Sequence, residues 1–159
     1  VTDTSDLEQN PIVAKIRTWR PAAVAEVNLF RGELTLVIYR EHLRPLAEFL
    51  RDEPDMAFTF LSDVTGMDRF PIEPRFELNY HLLALSRRQI VRLRVRLPGN
   101  DPVIESVVPV WPTANWHERE IFDLFGIRFE GHPDLRRIFL PDDWEGFPLR
   151  KDYPVEGPR

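Results

Sequence analysis

A histidine followed directly by a glutamate, His117-Glu118, opens the run "HEREIFD", and zinc-binding helices of metalloproteases begin in this way. That chemistry needs a second histidine four residues on, on the same helix face, to complete the pair of ligands. Position 121 is Ile121, so the motif fails. A looser site built from His117, His132 and Asp123 is the remaining metal or hydrolase reading, but a tetrahedral metal needs tighter ligand spacing. Ser62 in "FLSDVTG" lacks the glycine-bracketed turn that exposes a nucleophilic serine. With no cysteine, the chain has no thiol chemistry, disulfide or cysteine-ligated cluster. Its seven glycines form neither GxGxxG nor GxxxxGK[ST], so no phosphate cradle for NAD, flavin or ATP is readable. Catalytic, cofactor-binding and metal residues are therefore expected to be none.

Binding chemistry is better represented. In "QIVRLRVRLPG", Val91, Leu93, Val95 and Leu97 alternate with Arg92, Arg94 and Arg96, and Arg88 precedes them. A row of arginines on a sheet could track a phosphate backbone, which defines an RNA-binding alternative. That strand has no base-stacking aromatics, and the net charge of −5 opposes it, so a salt-bridged sheet face is the favoured reading. In "ANWHEREIFDLFG", Asn115 and Glu118 have the spacing of a capping box, and Gly126 that of a left-handed helix stop. Arg119 and Asp123 are four apart, suited to an exposed ion pair of about 0.3–0.5 kcal/mol. Glu118 and Glu120 flank Arg119 and point to different sides, so they do not converge as a glycosidase pair does.

The elements that carry these residues read as follows. Asn10 and Pro11 start a helix with Ile12, Val13, Ile16 and Trp19 on one side. "AVAEVNLF" and "ELTLVIYR" flank Arg31-Gly32 as a hairpin, and "EHLRPLAEFLRDEP" is an amphipathic helix. A strand from "MAFTFLSDVTGMD", a hairpin from "RFELNYHLLALS" and "QIVRLRVRLPG", and a strand within "PVIESVVPVWP" follow. The expected fold is α+β, a mainly antiparallel sheet with helices on one face, spanning 1–126 and ending in the helix of the HERE run. Residues 127–159 hold Pro133, Pro141, Pro148, Pro154 and Pro158 beside Phe129, Phe139, Trp144, Phe147 and Tyr153. Prolines oppose regular structure, and an extended chain cannot bury such aromatics on itself, so this is expected to be an extended arm that wraps a partner. The start of the chain carries Asp3, Asp6 and Glu8 and no basic flank before an apolar run, so no secretory signal is expected there. No uncharged run is long enough to span a bilayer, so membrane association is expected only through a partner.

The run from "WPTANWHEREIFDLFG" through "GHPDLRRIF" to "RKDYP", residues 111–154, resembles the signature region of the 30 kDa (C-type) subunit of respiratory complex I. The matching residues are Glu118, Arg119, Glu120, Asp123, Leu124, Phe125, Gly126, Ile127, Gly131, His132, Pro133, Asp134, Leu135, Arg136, Arg137 and Ile138. "FTFLSDVTGMD" and "RFELNYHLLAL" are similar to that family's N-terminal domain. The resemblance implies a non-catalytic scaffold subunit in the hydrophilic arm of a proton-pumping NADH:quinone oxidoreductase. Such a subunit packs against the quinone-site (D-type) subunit, on the cytoplasmic side of the bacterial inner membrane. It implies FMN and iron–sulfur clusters in partner subunits and none here. Equivalent subunits of membrane-bound hydrogenases and other complex I relatives are the alternative. The expected partner-facing set is Glu118, Arg119, Glu120, Asp123, His132, Asp134, Arg136, Arg137, Trp144, Arg150, Lys151, Asp152 and Tyr153, with the first four fixing the junction of domain and arm or pairing with the quinone-site subunit.

Overall fold

The computed structural model describes residues 7 and 9–156; the stretch with Asp3, Asp6 and Glu8 lies outside the described residues. Helix α1, Pro11–Trp19, starts where the sequence directs it. The Asn10 side chain accepts from the Ile12 N–H at 2.9 Å, Pro11 fills the first turn, and Ile12, Val13 and Ile16 are buried. Strands β1, Val24–Phe30, and β2, Glu33–Ile38, are joined by Arg31 and Gly32. Both of these residues have positive φ, 52° and 84°, as a two-residue turn that follows the strand twist requires. Helix α2, Leu43–Asp52, buries Leu43, Leu46, Ala47 and Leu50 at helical spacing.

Strands β3, Phe60–Asp68, β4, Phe76–Ala84, and β5, Gln89–Leu97, form a meander, and the five strands lie in the order β1-β2-β5-β4-β3. Every neighbouring pair is antiparallel except β2 and β5, which run parallel. The sheet is therefore mixed. Two antiparallel units, the hairpin and the meander, meet through their inner strands after the crossover that contains α2. The period-2 pattern sorts the faces. Leu34, Leu36 and Ile38 lie beside Val91, Leu93 and Val95, and these beside Leu82, Tyr80 and Leu78, on a face that shares one core with the buried sides of the helices.

Helix α3, Ala114–Phe125, packs on β3 at Gly66, where a Cβ would stand 3.1 Å from the Phe125 ring. The strand expected within residues 102–112 shrinks to β6, Val103–Glu105. It pairs in parallel with β7, Arg128–Glu130, as a separate two-stranded sheet. Val107, Val110 and Trp111 enter the core from turns instead, and the Trp111 indole donates to the Phe58 carbonyl at 3.0 Å. The chain just after Gly126 also belongs to the core: Ile127 and Phe129 are buried and β7 lines up with β6. Among the described residues, regular structure ends with β7 at Glu130.

Candidate functional site

Three of the charged residues on α3 point into the protein. Glu118 is 0% exposed; one carboxylate oxygen accepts from the Ser106 hydroxyl at 2.6 Å and the other from the Val107 N–H at 2.8 Å. The expected capping box is absent for this reason. The helix begins two residues earlier, after Thr113, with no side-chain cap, and Asn115 Oδ1 finds no donor. Burial pushes the Glu118 carboxyl up to about 7, opposed by the Ser106 and Val107 donors and by the charge of Arg44. Tyr80, fully buried, also has an unpartnered hydroxyl, raised by burial and then by the Glu118 charge.

His132 approaches Glu118 to 4.0 Å through Nε2. Its Nδ1 accepts from the Asp134 N–H at 3.0 Å, so the neutral ring carries its proton on Nε2, which donates to the Asn115 carbonyl at 3.2 Å. Burial holds this histidine below its ordinary value.

Asp123 is equally buried but surrounded by donors. Arg137 Nη1 reaches Oδ1 at 2.8 Å, and Oδ2 accepts from the N–H groups of Ile138, Phe139 and Leu140 at 3.0, 2.7 and 3.1 Å. Burial disfavours its charge, yet Arg137 and the three N–H groups outweigh burial and hold the carboxyl below the usual range. The expected Arg119–Asp123 pair does not form. Arg119 donates to the carbonyls of Arg136 and Arg137, both at 3.1 Å, with its guanidinium 5.2 Å from the Trp116 ring centre. Arg137 also donates to the carbonyls of Trp144 and Gly146.

A second clamp lies at the end of β3. Arg75 is bidentate to Asp68, at 2.9 and 2.7 Å, and to Asp152, at 3.0 and 2.7 Å. Asp68 further accepts from the Lys151 N–H at 2.8 Å. Its burial is outweighed by Arg75 and by the Lys151 and Phe70 N–H groups, so its carboxyl falls to about 2. Arg150 donates to the Phe125 carbonyl at 2.6 Å and lies between the rings of Phe76 and Phe147. Phe147 covers Gly126, whose φ of 72° ends α3; a Cβ there would meet that ring at 2.5 Å.

Residues 131–156, which hold no helix or strand, thus lie along the body. The sequence signature is divided in two by this arrangement. Glu118, Arg119, Asp123, His132, Arg137, Arg150 and Asp152 are used internally, Lys151 only through its backbone N–H, while Phe129 is buried and Phe147 half-buried against the chain's own surface. Glu120, Asp134, Arg136 and Trp144 stay toward solvent; Asp134 and Arg136 pair with each other at 2.8 Å, and the half-buried Tyr153 lies over Gly146. Phe139 is 65% and Leu149 50% exposed. Sequence reasoning missed Asp68, Arg75 and Ser106. Asp68 and Arg75, flanking the β3–β4 turn with opposite charges, were the available signal.

The rival chemistries lose their residues. His132 uses both ring nitrogens and Asp123 both oxygens, and no group of three potential ligands comes together among the described residues. The arginine row is neutralised across the sheet: Arg92 meets Glu33 at 2.9 Å, Arg94 meets Glu77 at 3.0 Å, and Arg96 meets Glu26 at 3.4 Å. Phosphates would have to displace these carboxylates.

Residues 36–159 match the family described as the 30 kDa subunit of respiratory-chain NADH dehydrogenase. The chain is 43% identical over 149 residues to the C-type subunit of NADH-quinone oxidoreductase of Roseiflexus sp. (strain RS-1), covering 94% of this chain and 86% of that one. It is 42% identical to the same subunit of Geotalea uraniireducens (strain Rf4), covering 95% and 91%. Among solved structures it resembles a trypsin-resistant fragment (1-134) of Nqo5, with TM-score 0.65, 33% identity, and 77% and 97% coverage. It also resembles a chain of a membrane-bound sulfane sulfur reductase, an archaeal respiratory membrane complex, with TM-score 0.77, 25% identity, and 96% and 87% coverage.

Proposed function

Because the chain belongs to the family of respiratory-chain NADH dehydrogenase 30 kDa subunits, we propose that it is a non-catalytic scaffold in the hydrophilic arm of a proton-pumping NADH:quinone oxidoreductase. Its neighbours are other subunits of that complex, above all the quinone-site (D-type) subunit, on the cytoplasmic side of a bacterial inner membrane. FMN and the iron–sulfur clusters belong to partner chains. Among the described residues no helix is long and apolar enough to cross a membrane, so the complex supplies the membrane contact.

The observation that carries this reading is the two-sided C-terminal segment. Its inner side spends its charges on Asp123 and on the Asp68–Arg75 clamp, while its outer side shows Phe139, Trp144 and Leu149 to solvent. Aromatic and aliphatic anchors on a clamped backbone bind without a large ordering cost. In this reading the partner-wrapping arm lies within 127–159. The relative solved as a trypsin-resistant fragment supports a stable body with a separable C-terminal remainder.

The test is a pull-down from gently solubilised membranes with the tagged full-length chain carrying Phe139→Ser and Leu149→Ser. Wild type is expected to recover flavin, iron–sulfur clusters and NADH-dependent quinone reduction, and the double variant at least tenfold less, while staying folded. Equal recovery by the variant would show that this side is not the interface. The similarity to the archaeal complex supports one other reading, the equivalent subunit of a membrane-bound hydrogenase or other complex I relative; hydrogenase subunits in the same pull-down would select it.

A further inference from the structure

Resting on that reading of the chain as a scaffold, we propose that the open sheet edge β3 and the flank of α3 form a second docking groove, filled by an extended basic segment of a neighbouring protein of the complex that joins β3 as an added strand. The strand order leaves β1 and β3 as edges. From Asp63 to Asp68, β3 pairs regularly with β4, and among the described residues no strand lies on its other side. Exposed edges are normally blunted by lysine, proline or a covering element, and the run "DVTGMD" contains neither residue. Its backbone offers a row of hydrogen-bonding groups, with Thr65 and Met67 exposed beside it.

Helix α3 supplies the wall. His117, Glu120 and Leu124 recur at helical spacing and face Val64–Gly66 across a groove of about 410 Å³. The missing side chain of Gly66 lets Ile121 and Phe125 form an apolar floor, and Leu149 stands at the groove as well. Strand addition works in such a place because backbone pairing gives affinity and alternate side chains fill the wall and floor.

Charge selects the occupant. Asp63 and Glu120 line the groove and no lysine or arginine does. Glu120 makes no hydrogen bond or ion pair among the described residues. Of the Asp63 carboxylate only Oδ1 is used, accepting from His81 Nδ1. Arg92 donates to the other nitrogen of that ring, Nε2, so Nδ1 is the donor toward Asp63, and Asp63 Oδ2 has no partner among the described residues. A segment with apolar side chains at alternate positions and an arginine or lysine opposite Glu120 fits.

Two readouts test this. Hydrogen exchange of residues 63–67 is compared between the isolated chain and the purified complex, and full-length Glu120→Arg is used in the same pull-down. The expected results are at least tenfold slower exchange of the outward amides in the complex and at least tenfold lower recovery with Glu120→Arg at unchanged Tm. Normal assembly of Glu120→Arg, or identical exchange in both states, overturns the groove while the scaffold reading stands. Protection already present in the isolated chain, with a concentration-dependent dimer in sedimentation, would assign the edge to a second copy and also overturn it. If wild type recovers no assembly, both readings fall together.

Discussion

Glu118 and Asp123 sit five residues apart on α3, both fully buried, and their surroundings drive them in opposite directions. One face of the helix, with Glu118, Ile121 and Phe125, turns to the body, where Glu118 meets a hydroxyl and one N–H. The face with Arg119 and Asp123 turns to residues 136–140, where Asp123 meets a guanidinium and three N–H groups. Depth alone does not decide the state of a buried carboxyl; the number and charge of its donors does. The two faces also differ in use. One is an element of the core, and the other fastens a segment that has almost no regular structure of its own.

The contrast is undone most severely at Asp123. Asp123→Ala leaves the Arg137 charge without a carboxylate and three N–H groups without an acceptor, and is expected to cost about 3–5 kcal/mol in urea unfolding, with rapid proteolysis within 131–156. Glu118→Gln acts in the other direction. The folded Glu118 carboxyl lies above its unfolded value near 4.5, so its contribution is fully present below that value and is lost as pH rises through about 7. Wild-type stability should therefore fall between pH 5 and 8, and Glu118→Gln should flatten that slope, gaining roughly 2–3 kcal/mol at pH 8. A variant that followed the wild-type slope would remove Glu118 as the cause.

Asp68 tests the contrast at the second clamp. Its folded value is depressed, so its stabilisation is present above pH 3.8 and lost as pH falls through about 2, visible in acid titration followed by tryptophan fluorescence. Asp152→Asn removes only the half-exposed arm of the clamp and is expected to cost less than about 1 kcal/mol while fraying the chain after residue 150. Arg136→Ala loses a pair that is exposed on both sides, and thermal melts should place it within about 0.5 kcal/mol of wild type.

Local devices were readable in the sequence. Asn10-Pro11, Arg31-Gly32, Gly126 and the alternation of β5 each specify their conformation within a few residues, and all are formed. The misreadings share one cause, a partner distant along the chain. Asp123 chose Arg137, fourteen residues on, over Arg119 one turn back, because the returning segment adds three backbone donors there. The salt-bridged face expected of the arginine row is formed, although its partners are also distant: Glu33 and Glu26 lie 59 and 70 residues from Arg92 and Arg96. The parallel β2–β5 pair depends likewise on how two locally correct units dock. The expectation of an arm dependent on a partner followed from its prolines and aromatics; the carboxylates that clamp it, Asp68 and Asp123, lie elsewhere in the chain.

The most direct test is amide exchange at Ile138, Phe139 and Leu140 in the isolated full-length chain at neutral pH. If the buried Asp123 carboxylate holds this segment to the body, those three amides will exchange slowly without any partner present and quickly in Asp123→Ala. Fast exchange in the wild-type chain, becoming slow only after assembly, would contradict this and make the segment a part of the partner's surface rather than of this fold.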